Sequence, residues 1–280
     1  MGTATGGDAG AGSAPRVLAA ELVGEDTGRP PLVLLHGFTQ NRRCWGLLAE
    51  DLGRDRHLLA VDLPGHGEST DAGAASVEET ADLLHTTVRE RFDPDVQVDV
   101  LGYSMGGRIG LAWLSAHPER IRRVVTIGAT AGIEGPDARA ARRAQDEERA
   151  RRLEAEGLDA FLDWWLGLDL FAGLPEWARF DRQRRANTVE GLAASLRHAG
   201  TGSMPPLWSA LAERRDQGVL GDALILTGEH DERFLEVGVR LGRCLGGRSE
   251  TVPGAGHAAH LEAPEATTTL VRGALDDTPA

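Results

Sequence analysis

One serine in this chain stands where its hydroxyl can react. Gly102-Tyr103-Ser104-Met105-Gly106 has G-x-S-x-G spacing, with an apolar run before it and a helical run after it. Between a strand and a helix, that spacing predicts a tight, strained turn. Flanking glycines have no Cβ to clash there, and the turn pushes the Ser104 hydroxyl out over the sheet. It also puts the Met105 N–H at a helix N-terminus, where partial positive charge suits an oxyanion. A second donor is expected from Leu35-His36-Gly37-Phe38, directly after the run PLVLL. Gly37 would let the backbone come close, the Phe38 N–H would donate, and His36 would pin the loop by hydrogen bonds.

A reactive serine needs a histidine, and the histidine needs a carboxylate to fix its tautomer. With this motif the chain order is Ser, then Asp or Glu, then His. His257 lies in the Gly-rich loop Val252-Pro253-Gly254-Ala255-Gly256-His257, after the last candidate strand and before the last helix. His260 is the rival in that loop. Asp231 follows the run ALILTG and is the expected acid, with Glu229 as the alternative. Asp62, with Leu63-Pro64-Gly65-His66-Gly67, reads as a structural turn.

The elements that must carry these residues alternate. Apolar strands are expected at Pro31–Leu35, His57–Asp62, Val96–Gly102, Arg123–Gly128 and Ala223–Gly228, with an edge strand at Arg16–Val23 and a weaker one at Ser249–Val252. Helices fit at Trp45–Leu52, Ser76–Phe92, Met105–His117 and Pro264–Leu275. This alternation predicts an α/β fold, a mostly parallel sheet covered on both faces. From Ala129 to about Gln217 the rhythm breaks, and the composition is helical and rich in Arg and Trp. The expected organisation is a disordered tail over 1–15, a core of 16–128 and 218–280, and a helical cap over 129–217. A cap at the carboxyl ends of the strands would roof a pocket.

Composition narrows the partners. The 280 residues carry a net charge of −13, which disfavours nucleic acid and anionic membranes. No run approaches the roughly 18–20 apolar residues of a membrane span, and the start lacks the basic and apolar blocks of a secretion signal. Cys44 and Cys244 make neither a disulfide framework nor a metal-ligand spacing. Both are expected reduced in a cytoplasm. Heavy use of Ala, Gly and Arg suggests a GC-rich bacterial genome.

Taken together, LHGF at 35–38, DLPGHGES at 62–69, GYSMGGR at 102–108, TGEHDERF at 227–234 and PGAGHAAHLEAPE at 253–265 resemble the α/β-hydrolase superfamily. That resemblance covers nearly the whole chain and implies a helical cap inserted after the sixth strand. GYSMGGR, GHxAHxExP at 256–264 and a cap reading RxxRRxxD…FLDWW resemble more narrowly the 2-succinyl-6-hydroxy-2,4-cyclohexadiene-1-carboxylate synthases of menaquinone (vitamin K2) biosynthesis. The resemblance implies a lyase that eliminates pyruvate, with the triad serine as base and no metal or organic cofactor. Its anionic-substrate residues fall on Tyr103, Arg108, Arg142, Trp164 and Arg233, with Arg143 next to Arg142 as a further candidate. Trp165 and Arg233 depart from a pattern that can have Tyr and Lys there. Losing the phenol leaves substrate preference open, while Arg keeps the charge of Lys.

Arg108, one helical turn past Ser104, suits a small substrate bearing several carboxylates, because a guanidinium offers bidentate hydrogen bonds. Most of the six arginines of Arg139–Arg152 are expected on a solvated face. The competing reading is a serine hydrolase of the same fold, such as a carboxylesterase, thioesterase or carbon–carbon bond hydrolase, acting on a small acidic substrate. Dehalogenase and epoxide-hydrolase chemistry would need Asp in place of Ser104. A lipase would carry an apolar lid, and a non-catalytic binding protein would have lost a triad member.

Overall fold

Continuous apolar runs become strands buried on both faces. A computed structural model of the chain describes residues 16–70 and 74–276; the expected tail over 1–15 lies outside the described residues. Seven strands form one sheet: β1 (Ala20–Gly24), β2 (Leu32–Leu35), β3 (His57–Val61), β4 (Val98–Tyr103), β5 (Ile121–Ile127), β6 (Asp222–Gly228) and β7 (Arg248–Val252). Their order is β1-β3-β2-β4-β5-β6-β7. Only β1 runs antiparallel, pairing with β3 at the edge, while every other pair is parallel. Leu34 pairs with Ala60 on one side and Leu101 on the other, and every residue of β2 and β4 is buried.

Helices α1 (Gly46–Leu52), α2 (Val77–Arg89) and α3 (Met105–Ala116) connect the first strands. Ser76 starts α2 with a capping box: its hydroxyl accepts from Glu79 N–H at 3.1 Å, and the Glu79 carboxylate accepts from Ser76 N–H at 2.7 Å. Between β5 and β6 the chain is helical: α4 (Pro136–Glu156), α5 (Leu158–Leu166), α6 (Asp181–Arg184), α7 (Val189–Ala199) and α8 (Trp208–Asp216). The insertion therefore follows the fifth strand rather than the sixth, because a single strand, β1, precedes β2. Helix α9 (Glu232–Leu245) joins β6 to β7, and α10 (Ala259–Glu262) and α11 (Pro264–Leu275) close the chain.

Apolar side chains fill both faces of the sheet. One cluster joins α2, α3, α8 and α9 to it, and the other joins α1, α10 and α11. A third, around Phe161, Trp165 and Leu192, lies within the insertion. Trp208 and Leu211 of α8 belong to the first cluster. The insertion's last helix thus packs with the sheet layer, while α4 to α7 make the roof.

The strand order reverses between β2 and β4, so the loops after these strands lie side by side where open α/β sheets bind ligands. Contact there is backbone on backbone: a Cβ on Gly106 would stand 1.9 Å from the Leu35 carbonyl oxygen. Gly106→Ala is therefore expected to destabilise by at least about 1–3 kcal/mol, the range for overpacking, seen as a lowered urea midpoint. An unchanged midpoint would mean that α3 does not seat this closely.

Candidate active site

Ser104 links β4 to α3 with φ 51° and ψ −103°, a conformation that L-residues avoid. Hydrogen bonds on both sides hold it there. Its N–H donates to the Ile127 carbonyl at 2.8 Å, and Arg108 N–H donates to the Ser104 carbonyl at 3.1 Å. The side chain faces His257, whose Nε2 is 3.0 Å from Ser104 Oγ. His257 Nδ1 is 2.6 Å from Asp231 Oδ2. A carboxylate only accepts, so Nδ1 carries the proton and Nε2 is left to accept from the serine hydroxyl. Asp231 and His257 are both buried, at 5% and 4% exposure, which keeps water from competing for these bonds.

The loops that deliver the acid and the base are tied together. Asp231 precedes α9, with its N–H on the Gly228 carbonyl. His230 N–H reaches the Ala255 carbonyl, and the Glu229 carboxylate accepts from Gly254 N–H at 2.8 Å. Glu229 thus braces the histidine loop and is not the acid. Glu262 accepts from Gly256 and Ala258 N–H at 2.8 and 2.9 Å, gripping the backbone on both sides of His257. His260 is buried against Tyr103 and Trp45, with ring centroids 4.5 and 5.2 Å away. It packs behind the site and does not reach Ser104.

The loop after β2 is equally determined. His36 bonds the Gly37 carbonyl through Nδ1 and accepts from Leu63 N–H through Nε2, at 2.8 and 3.1 Å. Gly37 is needed because a Cβ would lie 2.5 Å from the Tyr103 ring. Gly37, Thr39 and Gln40 N–H groups all bond within the protein, so the Phe38 N–H is left out of the bonds that hold the loop. Met105 is the first residue of α3, and its N–H has no intrahelical acceptor. The insertion reaches this loop too: Asn187 donates to the Thr39 carbonyl at 2.7 Å, and Arg184 donates to the Thr39 hydroxyl. Asp62 accepts from Arg42 and Glu68 N–H groups and pairs with the Arg42 guanidinium, which makes its turn a structural one.

Above Ser104 lies a cavity of about 240 Å³ with five arginines in its lining: Arg108, Arg142, Arg149, Arg184 and Arg233. Asp146 is the one carboxylate among the lining residues, and Tyr103, Phe38 and Trp165 are among its aromatic walls. Arg108 is 8% exposed and donates to the Ala199 carbonyl at 2.8 Å. Burial and then Arg142 lower its pKa to about 10, so it stays charged at neutral pH. Asp146 holds two of the others, accepting from Arg142 Nε at 2.9 Å and from Arg149 at 3.1 Å. Arg233 is exposed in the lining. Arg143 turns away to the Gly202 carbonyl.

Trp164 does not line the cavity; Trp165 does. The face of α5 that carries Phe161 and Trp165, four residues apart, turns inward, and the Trp165 ring lies 5.2 Å from Phe38. Trp164 instead sits on the flank under the Arg152 guanidinium, 4.3 Å from its ring centroid. Arg149 and Arg184 are absent from the sequence-based expectations. Arg142, Asp146 and Arg149 are spaced i, i+4, i+7 and so share one helical stripe, a signal that could have found Arg149. Nothing local marks Arg184. Cys44 is buried, which pushes its thiol up to about 11 and leaves it inert at neutral pH.

Three structural histidines make the site acid-sensitive. Burial first of all lowers the pKa of His36 to about 4 and of His66 and His260 to about 3. Unfolded, each takes a proton below about pH 6.5. Folding is therefore favoured fully above about 6.5 and loses stability as pH falls toward 4. Urea midpoints should drop steadily from pH 7 to 4.5, less so in His260→Gln, whereas a flat profile would mean these rings bind protons in the folded protein.

The alpha/beta hydrolase fold family matches over residues 30–264. A Bacillus subtilis (strain 168) protein provisionally named 2-succinyl-6-hydroxy-2,4-cyclohexadiene-1-carboxylate synthase is 34% identical over 241 residues, which is 83% of this chain and 85% of that one. The protein of that name from Enterobacter sp. (strain 638) is 31% identical, over 85% of this chain and 89% of its own. Among solved structures, MenH from S. aureus superposes with a TM-score of 0.82 at 28% identity, covering 91% of this chain and 97% of that one. With sheet order, sequence match and superposition in agreement, the chain belongs to the alpha/beta hydrolase fold family and, within it, to the 2-succinyl-6-hydroxy-2,4-cyclohexadiene-1-carboxylate synthases.

Proposed function

We propose that this enzyme eliminates pyruvate from 2-succinyl-5-enolpyruvyl-6-hydroxy-3-cyclohexene-1-carboxylate to give 2-succinyl-6-hydroxy-2,4-cyclohexadiene-1-carboxylate. The observation that carries this reading is the arginine-lined cavity over Ser104, with a single carboxylate, Asp146, among its lining residues. A neutral ester would leave the excess positive charge of these five guanidiniums, offset in the lining only by Asp146, unmatched, whereas a substrate with several carboxylates pairs with it. The similarity to the synthases supports the same substrate.

In this mechanism, His257, oriented by Asp231, takes the Ser104 proton. The Ser104 oxygen then removes the acidic ring proton. Negative charge that develops on a substrate oxygen is held by the N–H groups of Phe38 and Met105. A carbon–carbon double bond forms as the bond to the enolpyruvyl oxygen breaks, and the departing enolpyruvate picks up a proton to become pyruvate. Arg108, Arg142 and Arg233 hold the carboxylates, with Arg149 and Arg184 adding positive field, and Tyr103 and Trp165 shape the walls. The step is redox-neutral and uses side chains and backbone alone. We assign the enzyme to a bacterial cytoplasm, in keeping with its composition; no described helix is long and apolar enough to cross a membrane.

The direct test supplies the enolpyruvyl substrate and follows pyruvate, with p-nitrophenyl acetate in parallel. Pyruvate release with little ester turnover is expected, and fast ester turnover without pyruvate would establish a hydrolase instead. Ser104→Ala should lower kcat by at least roughly 10²–10⁴-fold, the range for a lost general base, and a variant with near-normal kcat would remove Ser104 from the mechanism. Arg108→Met and Arg142→Met should each lower kcat/KM by about 10–100-fold, as expected for a charged hydrogen bond of about 1.5–3 kcal/mol. If either variant kept full kcat/KM, that arginine would not contact substrate.

A further inference from the structure

A second cluster of reactive side chains lies outside the cavity. His85 is in the third turn of α2, His117 ends α3, and Glu119 follows in the turn Pro118–Arg120. None of them lines the cavity over Ser104. The two imidazoles are nearly parallel, with centroids 3.9 Å apart. One donor atom from each of His85, His117 and Glu119 lies within 4.8 Å of the others. Zinc bonds of about 2.0–2.2 Å put tetrahedral ligand atoms roughly 3.4 Å apart, so one imidazole must rotate out of the stack to bring both in-plane lone pairs onto one ion.

The hydrogen bonds favour a cation. His117 Nε2 is 3.1 Å from Asp82 Oδ1, and its Nδ1 is 3.8 Å from Glu119 Oε1. A neutral ring that gives its one N–H to Asp82 presents a lone pair to the Glu119 carboxylate. Two electron-rich groups then face each other beside a second imidazole. A divalent ion between them turns that repulsion into coordination, and Asp82 becomes the outer carboxylate that holds the ring in the metal-binding tautomer. Arg89 and Arg120 also face His85 and oppose a cation. Arg120 is already committed to the carbonyls of Phe92, Asp93 and Pro94.

We propose that His85, His117 and Glu119, with Asp82 behind His117, form a binding site for one imidazole-preferring divalent ion, of which Zn²⁺ is the probe. Two imidazoles and a carboxylate select zinc, copper or nickel over magnesium and calcium. Three protein ligands leave a fourth position for water. The ion ties α2 to the end of α3, the helix that follows Ser104, without touching substrate.

The test is zinc titration of the full-length, chelator-treated protein by calorimetry, with thermal melts in parallel. One Zn²⁺ per chain is expected, with a raised Tm and no competition from Mg²⁺. His85→Ala and His117→Ala should remove this site, and Asp82→Asn should weaken it by about 10–100-fold, as outer carboxylates do. His198→Ala, at an exposed histidine elsewhere, should bind as the parent does. Melts without metal check that each variant is folded. Absence of saturable binding in the micromolar range overturns the proposal. So does stoichiometric binding that survives in folded His85→Ala and His117→Ala, which would place the zinc elsewhere, including at His257.

Discussion

The turn at Ser104 is the constraint around which the rest is built. A serine at φ 51° is costly for an isolated chain. It persists because β4 and α3 are each held in place by packing on either side of the turn. Three strand pairings anchor β2 and β4 at the centre of the sheet, and α3 sits so close to the end of β2 that glycine is the only residue that fits at 106. The turn gives the hydroxyl its exposure and aligns it with His257. The same closeness sets the Leu35–Phe38 loop beside Ser104, so one packing decision creates both the reactive group and the place for an oxyanion.

The second determinant is charge held out of water. Arg108 is surrounded by protein and hydrogen-bonded to a single carbonyl, and Arg142 and Arg149 share one carboxylate. Bringing cations together in this way opposes folding. It is offset by the apolar cluster of the roof, by the Asp146 clamp, and by the bonds of Arg184 to Thr39 and to the Arg179 carbonyl. The remaining positive field points into a cavity closed by Phe38 and Trp165. An overall charge of −13 therefore says nothing about this site, whose local sign is the opposite.

Much of the fold was legible because strands buried on both faces are written as unbroken apolar runs. Six of the seven runs start and end within three residues of the observed strands, and the edge strand begins four residues later than expected. Helix α9 was not expected. Gly238 and Gly242 lie on its inward face, where a Cβ would meet Thr227 and Ser249, and two glycines in a helix mask its period. The order of β1 and β3, and the seat of α8 against the sheet, depend on contacts between segments far apart in the chain. The helix assignment of Trp164 and Trp165 was readable, yet which of the two faces the cavity depends on the rotation of α5 against Phe38.

The sequence by itself determined the reactive set. Ser104, Asp231 and His257 sit at strand ends because their motifs combine turn-forming glycines with apolar runs, and such information is local. Tertiary structure alone decided which guanidiniums converge. Arg108, Arg142, Arg149, Arg184 and Arg233 come from four segments separated by up to 125 positions along the chain (233 − 108). Arg143, beside Arg142, turns elsewhere. Charge convergence depends on how the insertion's helices are rotated and seated over the sheet, and that is a property of packing rather than of spacing.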